Sequence, residues 1–329
     1  MVVGAPSAMK AVVVGKPVSL GSLRFSEAPV PAVPNDGVLV RVTASSANPV
    51  DLFPTSRIGY LMGGRKPTVI GTDFAGVVES VGKDVSGFRR GDEVFGGAPG
   101  AFAERIVVRQ GRGLALKPAS VSMEQAGVVG VAGTTALQAL RKHGGLSSGQ
   151  SVLINGASGG VGTFAVQIAV ALGASVTAVC SARNVEMVRS LGAGSVIDYG
   201  REDFTRLDLR YDLVIDVEGS HSFSACKRVL APHGTFVGVG AAAVQHRRGG
   251  GLRAIGHFLG TRVTSIGSGR KAVFFIASLT SEDMKFLASL LADGRVRPVI
   301  DRRYSLGEVS EALQYMNEGH ARAKVAISI

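Results

Sequence analysis

Residues Ser151 to Ser181 read SVLINGASGGVGTFAVQIAVALGASVTAVCS, and three periodicities follow one another within them. Ser151 to Ile154 is a short apolar run, as expected of a strand covered on both faces of a parallel sheet. Gly156, Gly159 and Gly162 come next at three-residue spacing. From Val161 the apolar residues Phe164, Ala165, Ile168, Ala169 and Leu172 recur at helical spacing until Gly173 stops the pattern. Val176 to Cys180 is a second apolar run. Strand, turn, helix and strand in about 30 residues make a βαβ unit. Its glycines allow a tight turn and close approach of backbone to a pyrophosphate. The helix that follows offers unpaired N–H groups and its positive end to the phosphates. The turn therefore predicts a dinucleotide site held by Gly156, Ser158, Gly159, Gly160, Val161 and Gly162.

The residues after the second strand choose between cofactors. An NAD site places a carboxylate here, on the ribose 2′-hydroxyl. This chain has Ser181, Ala182, Arg183 and Asn184, with no acid before Glu186. A hydroxyl and a guanidinium suit a 2′-phosphate through charge-assisted bonds. NADPH is the expected cofactor.

Working outward, 329 residues suffice for two domains with real cores. With 46% apolar and 19% charged residues the chain reads as globular, not disordered. Two cysteines, Cys180 and Cys226, cannot build a disulfide framework or a four-thiolate zinc site. Their scarcity, with no signal-peptide pattern in MVVGAPSAMK, leads to an expected cytoplasmic location. The uncharged Asn155–Ser181 segment is too punctuated by glycine to insert in a membrane. A net charge of +11 permits a polyanionic partner. The basic residues are scattered, however, in pairs such as Arg89-Arg90 and Arg302-Arg303, so a nucleic-acid partner is not expected. The expected partner is a small electrophilic substrate, and a homodimer is compatible with the sequence.

Before the βαβ unit, Met9–Val14, Val38–Ala44, a Gly-rich pattern over Thr68–Val85, Gly91–Phe95 and Ala101–Val108 predict a mostly β domain. Ala-rich helical spacing runs from Met123 to Leu140. After the unit, Asn184–Leu191 and His221–Leu230 predict helices, and Ser195–Asp198, Leu213–Val217, Thr235–Val239 and Arg262–Ile266 predict strands. This alternation means a doubly wound parallel sheet. Gln245–Gly260 reads as a loop over the cleft or a solvated excursion. Ser281–Leu291 is a capped helix, and Val296–Ile300 and Lys324–Ile329 are strands returning to the first domain.

This order resembles the medium-chain dehydrogenase/reductase superfamily, and within it the quinone oxidoreductase (zeta-crystallin-like) branch, including plant envelope quinone oxidoreductase homologues. The resemblance rests on Ala47-Asn48-Pro49-Val50-Asp51, Gly71-Thr72-Asp73-Phe74-Ala75-Gly76, Gly91-Asp92-Glu93-Val94, Ala132-Gly133-Thr134-Thr135-Ala136-Leu137, the Asn155–Gly162 turn, Cys180–Asn184, Leu191-Gly192-Ala193 and Gly319-His320 with Lys324. It implies a GroES-like domain at 1–124 and 268–329 around a Rossmann domain at 125–267. It also implies Thr135 beside the nicotinamide, Val217 and Val239 near ribose or ring, Tyr199 near the adenosine phosphate and Lys324 within reach of the cofactor. Asn48 and Asp51 would line the substrate side, though Asp51 reads equally as a turn residue.

Zinc-dependent relatives bind metal at places that here hold Asn48, Thr72-Asp73 and the region of Val131, and the chain supplies no set of zinc donors. Where relatives often have a Tyr or Lys to polarise a carbonyl, this chain has Phe53. Tyr60 is the candidate substitute, and a structural loop residue is the alternative. The implied activity is zinc-independent, NADPH-linked reduction of a quinone or an α,β-unsaturated carbonyl. Two alternatives remain open. One is enoyl-thioester reduction, with Arg247, Arg248 and Arg253 as a basic entrance; the other is a non-catalytic NADPH-sensing or RNA-binding protein.

Overall fold

The computed structural model describes residues 8–63, 66–239, 269–319 and 321–329. The chain divides into two compact units: Met1–Val131, Leu279–Ala292 and Pro298–Ile329 form the first, Ala132–Ser278 and Asp293–Arg297 the second.

The first unit opens with β1 (Ala8–Val14), β2 (Phe25–Pro29), β3 (Gly37–Ala47), β4 (Thr68–Val69), β5 (Asp73–Val81), β6 (Glu93–Gly97), β7 (Arg105–Arg109) and β8 (Leu114–Leu116). The second holds β9 (Ser151–Asn155), β10 (Ser175–Cys180), β11 (Ser195–Asp198), β12 (Tyr211–Asp216), β13 (Leu230–Val239) and β14 (Lys271–Phe275). The chain then returns with β15 (Ile300–Ser305) and β16 (Lys324–Ser328).

In the first unit a seven-stranded sheet runs β15-β16-β3-β5-β6-β8, with β7 against β3; β2-β1-β4 form a smaller sheet. Val38, Val40, Phe74, Val94, Ile106 and Leu114 pack between its strands. Each such apolar side chain contributes about 1.5–3 kcal/mol on burial. The Gly-rich pattern over Thr68–Val85 divides into β4 and β5 at Gly71, whose φ is +93°. A Cβ there would lie 2.4 Å from the Phe102 nitrogen, so only glycine fits the corner.

The second unit is a six-stranded parallel sheet in the order β11-β10-β9-β12-β13-β14. Val152 to Asn155 are all buried, as a strand covered on both faces requires. The helix Gly160–Ala171 buries Gly162 to Ala169 against the sheet and ends before Gly173, which adopts φ +82°.

Several expected bounds shift. The sixth strand is β14, which pairs in parallel with β13, so residues 271–275 belong to the second unit and the chain does not return at 268. The expected strand at Arg262–Ile266 and the excursion at Gln245–Gly260 lie outside the described residues. The first return strand, expected from Val296, starts only at Ile300, because Asp293–Arg297 stays with the second unit. The long helix expected from Met123 splits into Met123–Ala126, Gly130–Leu137 and a wider turn at Gln138–His143. Gly127 interrupts it where a Cβ would meet Ala44 at 2.8 Å.

Candidate cofactor site and polar core

The glycine turn joins β9 to the helix Gly160–Ala171 inside the second unit. Gly156 has φ +84°, a conformation that side chains rarely adopt. A Cβ on Gly162 would lie 2.1 Å from the Gly156 carbonyl oxygen and 2.6 Å from Ala157 Cα, so the helix starts in contact with the turn. Gly159, the N-cap, would bring a Cβ only into ordinary contact with the Gly156 carbonyl oxygen, at 3.5 Å, and supplies no side chain to the helix end. No acid stands in the first turn. Half-buried Ser158, Gly159, Gly160 and Val161 thus leave an uncapped positive helix end, which suits a pyrophosphate.

Asn184 braces this turn to the end of β10. Its Nδ2 donates to Ser158 Oγ at 3.0 Å and to Ser181 Oγ at 3.2 Å. It is 4% exposed, and its Oδ1 is buried without a hydrogen-bond partner. An orphaned acceptor costs free energy unless a donor arrives, and a ribose hydroxyl is one such donor. Arg183 is exposed on the same short turn, while Glu186, the first acid, lies 3.3 Å from Arg189. Tyr199 is 64% exposed just past β11, its N–H bonded to the Cys180 carbonyl. Val217 donates its N–H to Asn155 O and stands 3.4 Å from the Cβ that Gly156 lacks. Val239 is buried at the end of β13, and Thr135 is buried in the helix Gly130–Leu137. The residues of the turn and of the β10 end fit a phosphate-bearing dinucleotide, and the structure brings Gly156, Val217, Ser158, Ser181 and Asn184 together.

The first unit contains a buried polar core, which joins the ends of β3, β5 and β16. Asp73 is fully buried and accepts at Oδ2 from Ser46 Oγ (2.6 Å), Asn48 Nδ2 (2.9 Å) and Lys324 Nζ (3.2 Å). Its Oδ1 accepts the Val131 N–H at 2.6 Å. Lys324, 3% exposed, also donates to Asn48 Oδ1 at 2.5 Å and to Ala47 O at 3.4 Å. Asp51, 2% exposed, takes the Asn48 N–H at 2.8 Å and the Thr72 hydroxyl at 2.7 Å. Burial pushes its carboxyl up to about 7; the Asp73 charge adds to that, while the Thr72 and Asn48 bonds and Lys324 oppose it.

Two predicted site residues are engaged inside this core. Asn48 donates its amide to Asp73 and to Ser46 O at 3.2 Å, and its oxygen takes the lysine. Lys324 has three N–H donors and three acceptors inside this unit, so its ammonium holds the core together. Asp51 does belong to the core. Tyr60 stands elsewhere, on the helix Arg57–Met62, where with Val14, Phe53, Pro54, Met62, Lys66 and Thr68 it lines a cavity of about 280 Å³. Sequence reading missed Asp73 and Thr72 as a working pair with these residues. The available signal was a carboxylate heading the apolar run of β5 and a lysine opening the apolar β16.

At the places where zinc relatives hold metal, oxygen and nitrogen donors are consumed by one another and by an ammonium, which repels a second cation. Among the described residues no group of three His, Cys, Asp or Glu is placed to hold a metal. No helix among them is long and apolar enough to cross a membrane.

Known families match the chain over much of its length. Residues 34–119 match the alcohol dehydrogenase GroES-like domain, and residues 191–327 match a family described as zinc-binding dehydrogenase. The first unit is thus GroES-like and the second is of Rossmann type. The chain is 35% identical to mouse mitochondrial NAD(P)H oxidoreductase RTN4IP1, over 93% of this chain and 86% of that one. It is 35% identical to tomato 2-methylene-furan-3-one reductase, over 92% of this chain and 74% of that one. The structure of Escherichia coli quinone oxidoreductase complexed with NADPH superposes with TM-score 0.81 at 25% identity, covering 97% and 100% of the two chains. The expected cytoplasmic location is contradicted, because the mouse relative is mitochondrial. Scarce cysteine argues for a reducing environment and not for one compartment, so that argument had no power to choose.

Proposed function

Starting from a chain that belongs to the medium-chain dehydrogenase/reductase family, in its zinc-independent branch related to quinone and enone oxidoreductases, we propose that it reduces quinones or α,β-unsaturated carbonyls with NADPH. NAD(P)H dependence is the coarser, established part of that statement; the acceptor class is the inference.

The bound nicotinamide supplies hydride, and the chain's residues supply position, charge and protons. Gly156, Ser158, Gly159, Gly160, Val161 and Gly162 take the pyrophosphate at the helix end. Ser181, Arg183 and Asn184 take the 2′-phosphate and ribose, with Tyr199 beside them. Thr135, Val217 and Val239 are assigned to the nicotinamide end. A homodimer is part of the same proposal, with Ile276, 92% exposed just after β14, as a candidate contact.

One observation carries the acceptor class, the closed core of Asn48, Asp73 and Lys324. Oxidising a simple alcohol develops an alkoxide that a Lewis acid normally stabilises. Here that place holds donors already spent on each other. A conjugated acceptor spreads its developing charge over several atoms and needs less from the site. Tomato 2-methylene-furan-3-one reductase, a relative by sequence, is named for such an acceptor.

The test is NADPH oxidation across quinones, 2-alkenals, vinyl ketones, enoyl thioesters and simple aldehydes. Turnover of a quinone or enone, with simple aldehydes inert, is expected. Ready NADP-linked oxidation of ethanol or benzyl alcohol, with no quinone or enone reduced, refutes the reading.

A further inference from the structure

We propose that residues 50–62 of the first unit, with Lys66, form a membrane-docking surface that seats the protein on a bilayer of anionic lipid without crossing it. Large apolar side chains are concentrated there in contact with water. Val50, Phe53, Ile58, Leu61 and Met62 are between 43% and 74% exposed. Elsewhere among the described residues such side chains, Phe25, Val81 and Val170 for example, stand singly in sequence, which is ordinary at a protein surface.

The local backbone makes one patch of them. Pro49–Thr55 is a 3₁₀-helix, in which residues three apart eclipse, so Val50 and Phe53 share a face. On the helix Arg57–Met62, Ile58 stands three and four residues before Leu61 and Met62, and these three share a face as well. Phe53 and Met62 wall the same cavity, which joins the two faces. Gly59 is the buried side of this helix. A Cβ there would lie 1.9 Å from the Phe53 carbonyl oxygen, so the helix rests on the preceding turn through its backbone and leaves its large apolar side chains outside. The Ser56 hydroxyl fixes the corner, accepting the Gly59 N–H at 3.0 Å and donating to Phe53 O at 2.7 Å. The patch is thus held by its own backbone before any partner arrives.

Charge identifies the occupant. Between Asp51 and Asp73 the sequence holds no acid, and those two aspartates are themselves buried. Arg57 and Lys66 are exposed. Arg57 stands one turn before Leu61, and Lys66 lines the same cavity as Phe53 and Met62. Apolar tips flanked by cations match the interface of an anionic bilayer, where acyl chains take the tips and lipid phosphates the cations. A second copy of the chain fits less well. A two-fold dimer would face this patch with itself, cation against cation, and the segment has no acid to answer them.

The test is flotation of the full chain with vesicles of phosphatidylcholine mixed with phosphatidylglycerol, and with vesicles of phosphatidylcholine alone. Co-flotation with the anionic vesicles is expected, weaker with the neutral ones, and falling as salt rises. Taking one apolar side chain of this size out of water shifts an equilibrium about tenfold or more, so Ile58→Ser/Leu61→Ser should weaken binding about 100-fold. Arg57→Gln should weaken binding to anionic vesicles about fivefold and leave binding to neutral ones unchanged. These side chains lie in water, so the melting temperature and NADPH affinity of each variant should match wild type. No flotation of the wild type with anionic vesicles, or flotation of a folded double variant equal to wild type, overturns the proposal. A wild-type dimer that the double variant converts to a monomer also overturns it and gives the patch to a second copy.

Discussion

The glycine turn of the second unit and the polar core of the first are both places where polar atoms leave water, and they are encoded in opposite ways. The turn is written in one run, Asn155 to Gly162, and its parts fit because neighbours in sequence are neighbours in space. The core is assembled from Ser46 to Asp51, Thr72-Asp73, Val131 and Lys324, the last joined to Asn48 across 276 positions. A local site survives on backbone geometry and a few small residues. An assembled site depends on every partner arriving, because an unpaired buried charge is costly. The turn is therefore expected to tolerate changes around it, and the core to fail as a unit.

The largest expected effect breaks the core. Lys324→Met removes the ammonium from Asp73, Asn48 Oδ1 and Ala47 O and leaves the Asp73 carboxylate with its remaining donors. Removing one partner of a buried ion pair typically costs about 3–5 kcal/mol. Urea unfolding should show a loss of that size, and the double variant Asp73→Asn/Lys324→Met should recover part of it, since both charges are gone. A loss below about 1 kcal/mol in the single variant would mean that the ammonium is solvated and the core is not closed.

The next effect tests the local site by its charge. Arg183 is exposed on the turn after β10, where Glu186 is the first carboxylate after the strand. A charged hydrogen bond contributes about 1.5–3 kcal/mol. Arg183→Ala should therefore raise the KM for NADPH roughly 10- to 100-fold and leave that for NADH nearly unchanged. It should not move the unfolding midpoint, in contrast to Lys324→Met. Equal losses with both cofactors would place Arg183 away from the 2′-phosphate.

These contrasts also mark what sequence alone makes legible. The βαβ unit reads correctly because Gly156, Gly162 and Gly173 act through their own turns and immediate packing. The resemblance put Asn48 on the substrate side and Lys324 within reach of the cofactor. That both bond to Asp73 is set by the pairing of β16 with β3 and of β3 with β5, which no local pattern announces. Asp73 gave a usable sign, a carboxylate at the head of an apolar strand, but its partners come from other strands. The bound at 268 failed for a similar reason: Lys271 to Phe275 is a short apolar run whose unit is fixed by β13, not by its own composition.

The smallest expected effect concerns Tyr60, the candidate donor on the cavity of the first unit. Tyr60 is half-buried on a short helix, with its N–H bonded to Ser56 O at 3.0 Å, and its ring forms part of the cavity wall with Phe53 and Met62. Tyr60→Phe keeps the ring and that backbone bond and removes only the hydroxyl. A neutral hydrogen bond contributes about 0.5–1.5 kcal/mol, a loss of at most roughly tenfold if the hydroxyl only steadies the acceptor. Loss of the general acid would cost about 100-fold or more. If the hydroxyl only steadies the acceptor, kcat for a 2-alkenal should fall less than about tenfold in Tyr60→Phe. A loss beyond about 100-fold would make Tyr60 the general acid.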